Sequence, residues 1–483
     1  MGDIEAKNDI GHEEEAASQG LNFAHIDPAV EKRVVKKLDW NLMPLVVALY
    51  LMSFLDRSNI GNADAAGMSK GIHESSPQFV WLSTIFYIPY ILFEWMALMW
   101  KVLPPHIWAF SCVLVWGIAA TLQSATFNWQ EMMVCRFFLA IAEAGYGPGI
   151  PYLLSFFYMR DEIGRRCGIF LSAAPFATCF ASAALAYGIT SGHSKLASWR
   201  LLFLVEGIPS IVLAFVAFFY LPDSPEKSRF LTEEEKDVAK ARAIRQVGEQ
   251  GTTRLGGISF KDAGEALTDP KNWLTALMYF SCNVSFSSLP VFLPTIITKM
   301  GFTSIHAQGL SAPPYFLSFL LCIATTWIAD RTAQRGLVII TLSCIGGTGY
   351  LLLATCPSVG VRYFGIYLAA AGIFPAIANI LPWVLNNQGS DTKRGVGVAL
   401  LQMIGQCGPI LGTRLAPNVK GMAVCSAFMF FNAILALTLR TYLVWQNKKV
   451  SERESEVAAV ADADGKHQIV AVENEGYGFR NIL

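Results

Sequence analysis

Apolar residues come in runs of about twenty along this chain, separated by short polar turns. Each run, at a rise of ~1.5 Å per residue, is long enough to cross a ~30 Å hydrocarbon core as a helix. The runs lie near residues 40–60, 78–100, 106–125, 130–157, 165–188 and 200–221, and again near 272–298, 307–329, 336–355, 361–385, 395–413 and 421–445. This pattern predicts an all-α membrane protein of twelve transmembrane helices in two six-helix halves. The interval between the halves is the longest polar stretch between spans. Pro222 and Pro225 end the sixth helix, and Thr232 with Glu235 has the spacing of a capping box that starts a soluble helix through about Arg245. The predicted organisation is a polar N-terminal tail (1–39), a first bundle (40–221), a linker with one amphipathic helix (222–271), a second bundle (272–446) and a C-terminal tail (447–483).

Composition agrees with this pattern. Of the 483 residues 53% are hydrophobic and only 15% are charged, against about a quarter charged in a soluble protein. So few charges cannot clothe a soluble surface of this size. Acidic and basic residues balance at 37 each, so no net field attracts nucleic acid. The ten cysteines are scattered, mostly inside apolar runs, without the paired spacing of a metal site or a disulfide framework. Residues 1–38 hold no short apolar core followed by a small-residue cleavage site, so the first span is expected to act as its own insertion signal.

Basic residues set the expected sidedness. The segment before Trp40, the linker, the turns with Arg160, Arg165 and Arg166, then Arg331 and Arg335, then Lys393 and Arg394, and the tail with Lys448 and Lys449 fall on one side if the span count is even. That side is expected to be cytoplasmic, with both termini there and the plasma membrane as the bilayer occupied. Lys195, Arg200 and Lys420 fall on the opposite side. Trp40, Trp108, Trp273 and Trp445 lie near predicted inner boundaries, and Trp129 and Trp199 near outer ones, as an interfacial aromatic belt requires.

Charge inside the spans is where chemistry is expected, because an ionised side chain at mid-bilayer costs at least ~2.5–3.5 kcal/mol and needs a partner or a function. The intramembrane ionisable residues read from the sequence are Asp56, Arg57, Glu94, Arg136 and Glu143. Asp56 and Arg57 close the first span. Arg136 and Glu143, two turns apart in the fourth, share one helix face at ~10 Å along the axis. Two cations and two carboxylates can neutralise one another as a purely structural network. Adjacent Asp56 and Arg57, however, point in different directions from their helix, so at most one pair is satisfied locally.

In the second half Asp330-Arg331-Thr-Ala-Gln-Arg335-Gly resembles the D-R-x-x-x-R-G loop signature of the major facilitator superfamily. Leu55-Asp-Arg-Ser-Asn-Ile-Gly-Asn62, Arg136 through Pro151, Leu221-Pro-Asp-Ser-Pro-Glu-Lys, Phe230-Leu-Thr-Glu-Glu-Glu, Phe292-Leu-Pro-Thr-Ile-Ile and Trp383-Val-Leu-Asn-Asn-Gln-Gly with Lys393-Arg394 resemble the anion:cation symporter family within it. Within that family they resemble the fungal allantoate and nicotinate permease branch in particular. The resemblance implies a major facilitator fold and no cofactor. It implies substrate contact by Arg57, a pocket lined by Tyr90, proton sites at Asp56 and Glu143, and an Arg136 that holds or releases Glu143. Asn387 matches a polar substrate-side position of the tenth helix, and Asp330, Arg331 and Arg335 match a gate. The chain departs from the pattern at Glu94-Trp-Met-Ala-Leu-Met-Trp-Lys, where the first-half signature loop is degenerate, at Ala140 in place of a glycine, and at a short segment from Arg414 to Met422.

The expected function is secondary active transport, by alternating access, of a small organic anion together with a proton, by a monomer in a lipid bilayer. Metabolite efflux by the same fold and a non-transporting nutrient sensor are the alternatives. A membrane enzyme is disfavoured, because the seven histidines lie in tails, loops or helix ends and the spans carry no nucleophile or metal motif.

Overall fold

The computed structural model describes residues 27–159, 162–180, 196–247, 259–301, 304–415, 419–464 and 480–483. Arg160, Lys195 and the far part of the fifth expected span lie outside them. The first helix, α1 (Pro28–Asn41), begins inside the segment expected to be a polar tail. Asp27 accepts from the Ala29 N–H at 2.8 Å and Pro28 occupies the first turn, a favourable start. Val30, Val34 and Leu38, four residues apart, share one face and are buried.

The first set of long helices is α2 (Met43–Ser58), α3 (Ser76–Phe93), α4 (Pro105–Gln123), α5 (Trp129–Tyr146), α6 (Ile163–Phe180) and α7 (Ser198–Tyr220). α2 continues almost unbroken into Ile60–Ala65, so Asp56 and Arg57 sit within a helix rather than at its end. Polar Asn59 and Asp64 break the apolar run without breaking the backbone. α3 passes at Glu94 into a 3-10 turn, Glu94–Leu98, and then Met99–Val102; this is the stretch where the first-half signature is degenerate.

The polar interval holds α8 (Glu233–Val247) with its capping box formed. The Glu235 carboxylate accepts from the Thr232 N–H at 2.9 Å and the Thr232 hydroxyl accepts from the Glu235 N–H at 3.4 Å. It also holds a second short helix, Phe260–Thr268, which sequence reading had not separated. α8 packs on α1, and ion pairs pin both to the bundle: Lys37 to Glu235 at 2.7 Å, Arg242 to Glu31 at 3.0 Å and to Glu162 at 2.6 Å, and Arg166 to Asp39 at 2.7 Å.

The second set is α9 (Pro270–Lys299), α10 (Ser304–Thr332), α11 (Arg335–Thr355), α12 (Val359–Asn386), α13 (Asp391–Gly405) and α14 (Val419–Asp464). α12 is buried along every residue from Ala369 to Asn386, as a helix apolar all round should be. α14 runs well past the predicted end at 445, because no glycine or proline interrupts Met422–Asp464. Nine helices among the described residues are long and apolar enough to cross a membrane. The described residues of the other three expected spans are helical too, apart from a turn at Gly147 and Pro148 that separates α5 from a short helix, Gly149–Phe157. Large apolar side chains such as Phe138, Val212, Phe215, Phe219, Phe316, Leu351, Phe364 and Ile434 face outward, as lipid contact requires. Of the expected aromatic belt, Trp40, Trp273 and Trp445 are exposed, whereas Trp199 is buried.

The two sets meet at the end that carries α1 and α8. The Lys101 ammonium donates to the Thr392 hydroxyl at 3.1 Å, and Leu98 and Tyr152 close on Gly395. The C-terminal residues return to this same end. The Ile482 carbonyl accepts from the Trp383 indole at 2.7 Å and from the Asn387 amide at 3.1 Å, and the Ile482 N–H donates to Asn387 Oδ1 at 2.8 Å.

Candidate functional site

α2 and α5 bring their charges face to face. The Arg57 Nε and Nη2 both donate to Glu143 Oε2, at 3.1 and 3.0 Å. The guanidinium lies against the rings of Phe86 and Tyr90 on α3, 4.7 and 4.5 Å from their centroids, close enough for cation–π attraction in a desolvated site. Glu143 is fully buried, while 18% of the Arg57 side chain is exposed. The cation is therefore the accessible member of the pair. Tyr279 of α9 has Tyr50, Tyr90 and Glu94 as electrostatic neighbours, so an aromatic face of the second set closes on the same region.

Arg136 is also buried, but its Nη2 donates to the main-chain carbonyl of Arg57 at 3.4 Å. The hydrogen bonds to Glu143 come from Arg57 on α2, while Arg136 acts on Glu143 through its charge. Asp56, on the other side of α2, accepts from the Ser210 hydroxyl of α7 at 2.8 Å. Glu94 is fully buried, and neither carboxylate oxygen has a hydrogen-bond partner among the described residues. Glu206 on α7 is in the same position, 2% exposed and unpartnered among the described residues. Sequence reading missed it. The signal was an acidic residue six positions into a predicted span, close enough to the expected boundary to pass as interfacial.

Three further candidates sit elsewhere. Asn387 caps α12, its side-chain amide is engaged on both sides by the main chain of Ile482, and its carbonyl accepts from the Lys271 ammonium at 3.2 Å. Asp330 forms an ion pair with Arg335 and also accepts from the main-chain N–H of Arg165 in the first turn of α6. A carboxylate of one set thereby caps a helix of the other. Arg331 stacks on Trp327 of its own helix and is exposed, apart from this ion pair. Among the described residues no cluster of three or more His, Cys, Asp or Glu stands ready for a metal ion.

Residues 46–413 match the Major Facilitator Superfamily. The chain belongs to this superfamily. A fungal protein described as "MFS transporter prlL", from Fungal sp. (strain NRRL 50135), is 33% identical over 88% of this chain and 89% of its own length. The high-affinity nicotinic acid transporter of Saccharomyces cerevisiae is 30% identical over 84% of this chain and 77% of its own length. Among solved structures, the proton:xylose symporter XylE superposes with a TM-score of 0.65 at 11% identity, covering 82% of this chain and 95% of its own. The transporter FucP in its outward conformation does so at 0.61 and 14%, covering 83% of this chain and 99% of its own. At such identities these two speak for the fold. This major facilitator is a multi-pass membrane transporter and not an enzyme.

Proposed function

We propose that this transporter is a proton-coupled symporter for a small organic anion, a carboxylate of the nicotinate or allantoate kind, within the anion:cation symporter branch. The observation that carries the reading is the Arg57–Glu143 pair. Glu143 occupies with its own carboxylate the donors that an incoming carboxylate needs, and the Phe86 and Tyr90 rings form flat apolar walls around that cation. Substrate and deprotonated Glu143 compete for one guanidinium. A proton on Glu143 removes the competitor, so anion and proton bind together or not at all.

Arg136 positions this arrangement by holding the Arg57 carbonyl, and the Asp330–Arg335 pair with the Arg165 N–H is the latch that rocking of the two bundles, residues 40–221 against 272–446, must break. The basic residues on α1, the linker and the turn after α10 support a cytoplasmic placement of both termini, with the plasma membrane as the site of uptake by a monomer. The likeness to a nicotinic acid transporter supports the substrate class.

The test is uptake of labelled nicotinate and a panel of carboxylates and ureides by cells lacking their own carriers, with and without a protonophore. Accumulation of a carboxylate that collapses with the protonophore is the expected result. Accumulation indifferent to it sinks the coupling. Binding without accumulation marks a sensor, and export of preloaded solute in place of uptake marks an efflux carrier.

A further inference from the structure

Asp56 and Glu206 are buried acids from different helices, 2% exposed each. Ser210 stands one turn beyond Glu206 on α7, and its hydroxyl lies 2.8 Å from Asp56 Oδ2 and 3.2 Å from the main-chain carbonyl of Glu206. That hydroxyl has a partner for either state of Asp56. With Asp56 ionised, the Ser210 O–H donates to the carboxylate. With Asp56 protonated, the acid O–H donates to Ser210 Oγ across the same distance, and the Ser210 O–H turns to the Glu206 carbonyl. Neither state strands a donor, so the exchange carries little of the penalty of an unmade buried hydrogen bond.

The Glu206 side chain supplies the second observation. Its carboxyl has no hydrogen-bond partner among the described residues, and Asp56 is the charge that acts on it. Facing Asp56 are Arg136 and Glu143 of α5 and the Trp116 indole of α4. In the Ile60–Ala65 turn beyond α2, Asp64 is engaged by Ser69. With Glu143 held by Arg57, Arg136, already engaged with the Arg57 carbonyl, is the cation that faces Asp56, and Asp56 and Glu206 cannot both be ionised where water is excluded. Gly207 lets α7 lie against the α4 backbone at Thr121.

We propose that Asp56 and Glu206 together hold a single proton within the membrane, with the Ser210 hydroxyl as its two-position switch. The proton arrives from water with the substrate cycle and leaves to water, one on and one off, and no other bond changes. Because Asp56 adjoins Arg57 and Arg136 grips the Arg57 carbonyl, loading of the pair alters the charge felt at the anion site. The inference rests on the proton-coupled reading above.

Its test is the pH profile of initial uptake in proteoliposomes for wild type, Glu206→Gln, Ser210→Ala and Ser210→Thr. Removing one acid of a shared pair lets the other ionise more readily, so Glu206→Gln is expected to move the acid-activated limb about one unit or more toward lower pH, and Ser210→Ala to flatten it, with Ser210→Thr restoring it. A wild-type profile without pH dependence overturns the coupling itself. A pH-dependent wild type on which Glu206→Gln superimposes overturns the shared proton alone. Should Glu206→Gln fail to transport, infrared difference spectra of the purified protein decide: wild type is expected to show a protonated-carboxyl band that is lost or shifted in both Asp56→Asn and Glu206→Gln, and a band unchanged in both overturns the proposal.

Discussion

Replacing Glu143 with Gln tests the competition at Arg57 most sharply. The amide oxygen still accepts from Arg57, so the change removes charge and keeps shape. Two hydrogen bonds, 3.1 and 3.0 Å long, end on Glu143 Oε2. Turning each from charge-assisted to neutral forfeits about 1–1.5 kcal/mol per bond, about 2–3 kcal/mol together. That energy no longer opposes an incoming carboxylate, so anion affinity at neutral pH should rise roughly 30- to 150-fold. The assay is equilibrium binding of labelled nicotinate at neutral and acid pH, together with counterflow and gradient-driven uptake in proteoliposomes. Wild type should bind tighter in acid. Glu143→Gln should bind tightly at both values, keep counterflow and lose accumulation on a pH gradient. A Glu143→Gln protein that binds no tighter at neutral pH, or that still accumulates on a gradient, refutes the competition.

Three further outcomes follow from other contacts. Arg57→Lys loses both the planar two-donor geometry and most of the stacking on Phe86 and Tyr90, about 1–2 kcal/mol, so the KM for the anion should rise about 5- to 30-fold in uptake assays. At Gly395 a Cβ would stand 2.7 Å from Leu98 and 3.0 Å from Tyr152 of the other set. Gly395→Ala should therefore wedge this end open, read as a longer spin-label distance between positions 101 and 392; an unchanged distribution contradicts it. Outside the membrane, burial pushes Glu235 up but the Lys37 ammonium at 2.7 Å and the Thr232 N–H pull it further down, below the usual carboxylate range. A depressed carboxylate adds stability above its unfolded value, about 4.3, and loses it as pH falls through the folded one. The protection factors of the α1 amides, with the intrinsic exchange rate at each pH divided out, should thus stay constant from neutral pH down to that range and fall below it, and Lys37→Met should remove this acid step.

Much of the fold was legible because bilayer thickness leaves its mark on sequence as apolar runs of fixed length, and because Thr232 with Glu235 is a local signal that needs no tertiary context. Charge in those runs pointed to Asp56, Arg57, Arg136 and Glu143, which do gather. Which cation meets which acid was not legible. Arg136 and Glu143 share a face of one helix, yet the carboxylate accepts from Arg57, which reaches it from α2, a tertiary placement that spacing along one helix does not carry. Glu206 was passed over because six residues of depth cannot be told from an interface without knowing where α7 starts. Asn387 looked like a pocket residue because its segment matched a family pattern, while its partner, Ile482, lies 95 positions away at the chain end. The helix α1 was hidden in a charged stretch whose apolar residues, every fourth one, are too few to raise the local hydropathy.

The central claim is that a proton gradient alone drives accumulation of a carboxylate. Purified protein in liposomes, with voltage clamped by potassium and valinomycin and an acid exterior imposed, should accumulate labelled nicotinate or another carboxylate of the panel about tenfold per pH unit for each proton carried, the equivalent of about 1.4 kcal/mol per proton, and Arg57→Ala should abolish it. Equal internal and external concentrations under that gradient, with the same anion exchanging freely in counterflow, would contradict the account.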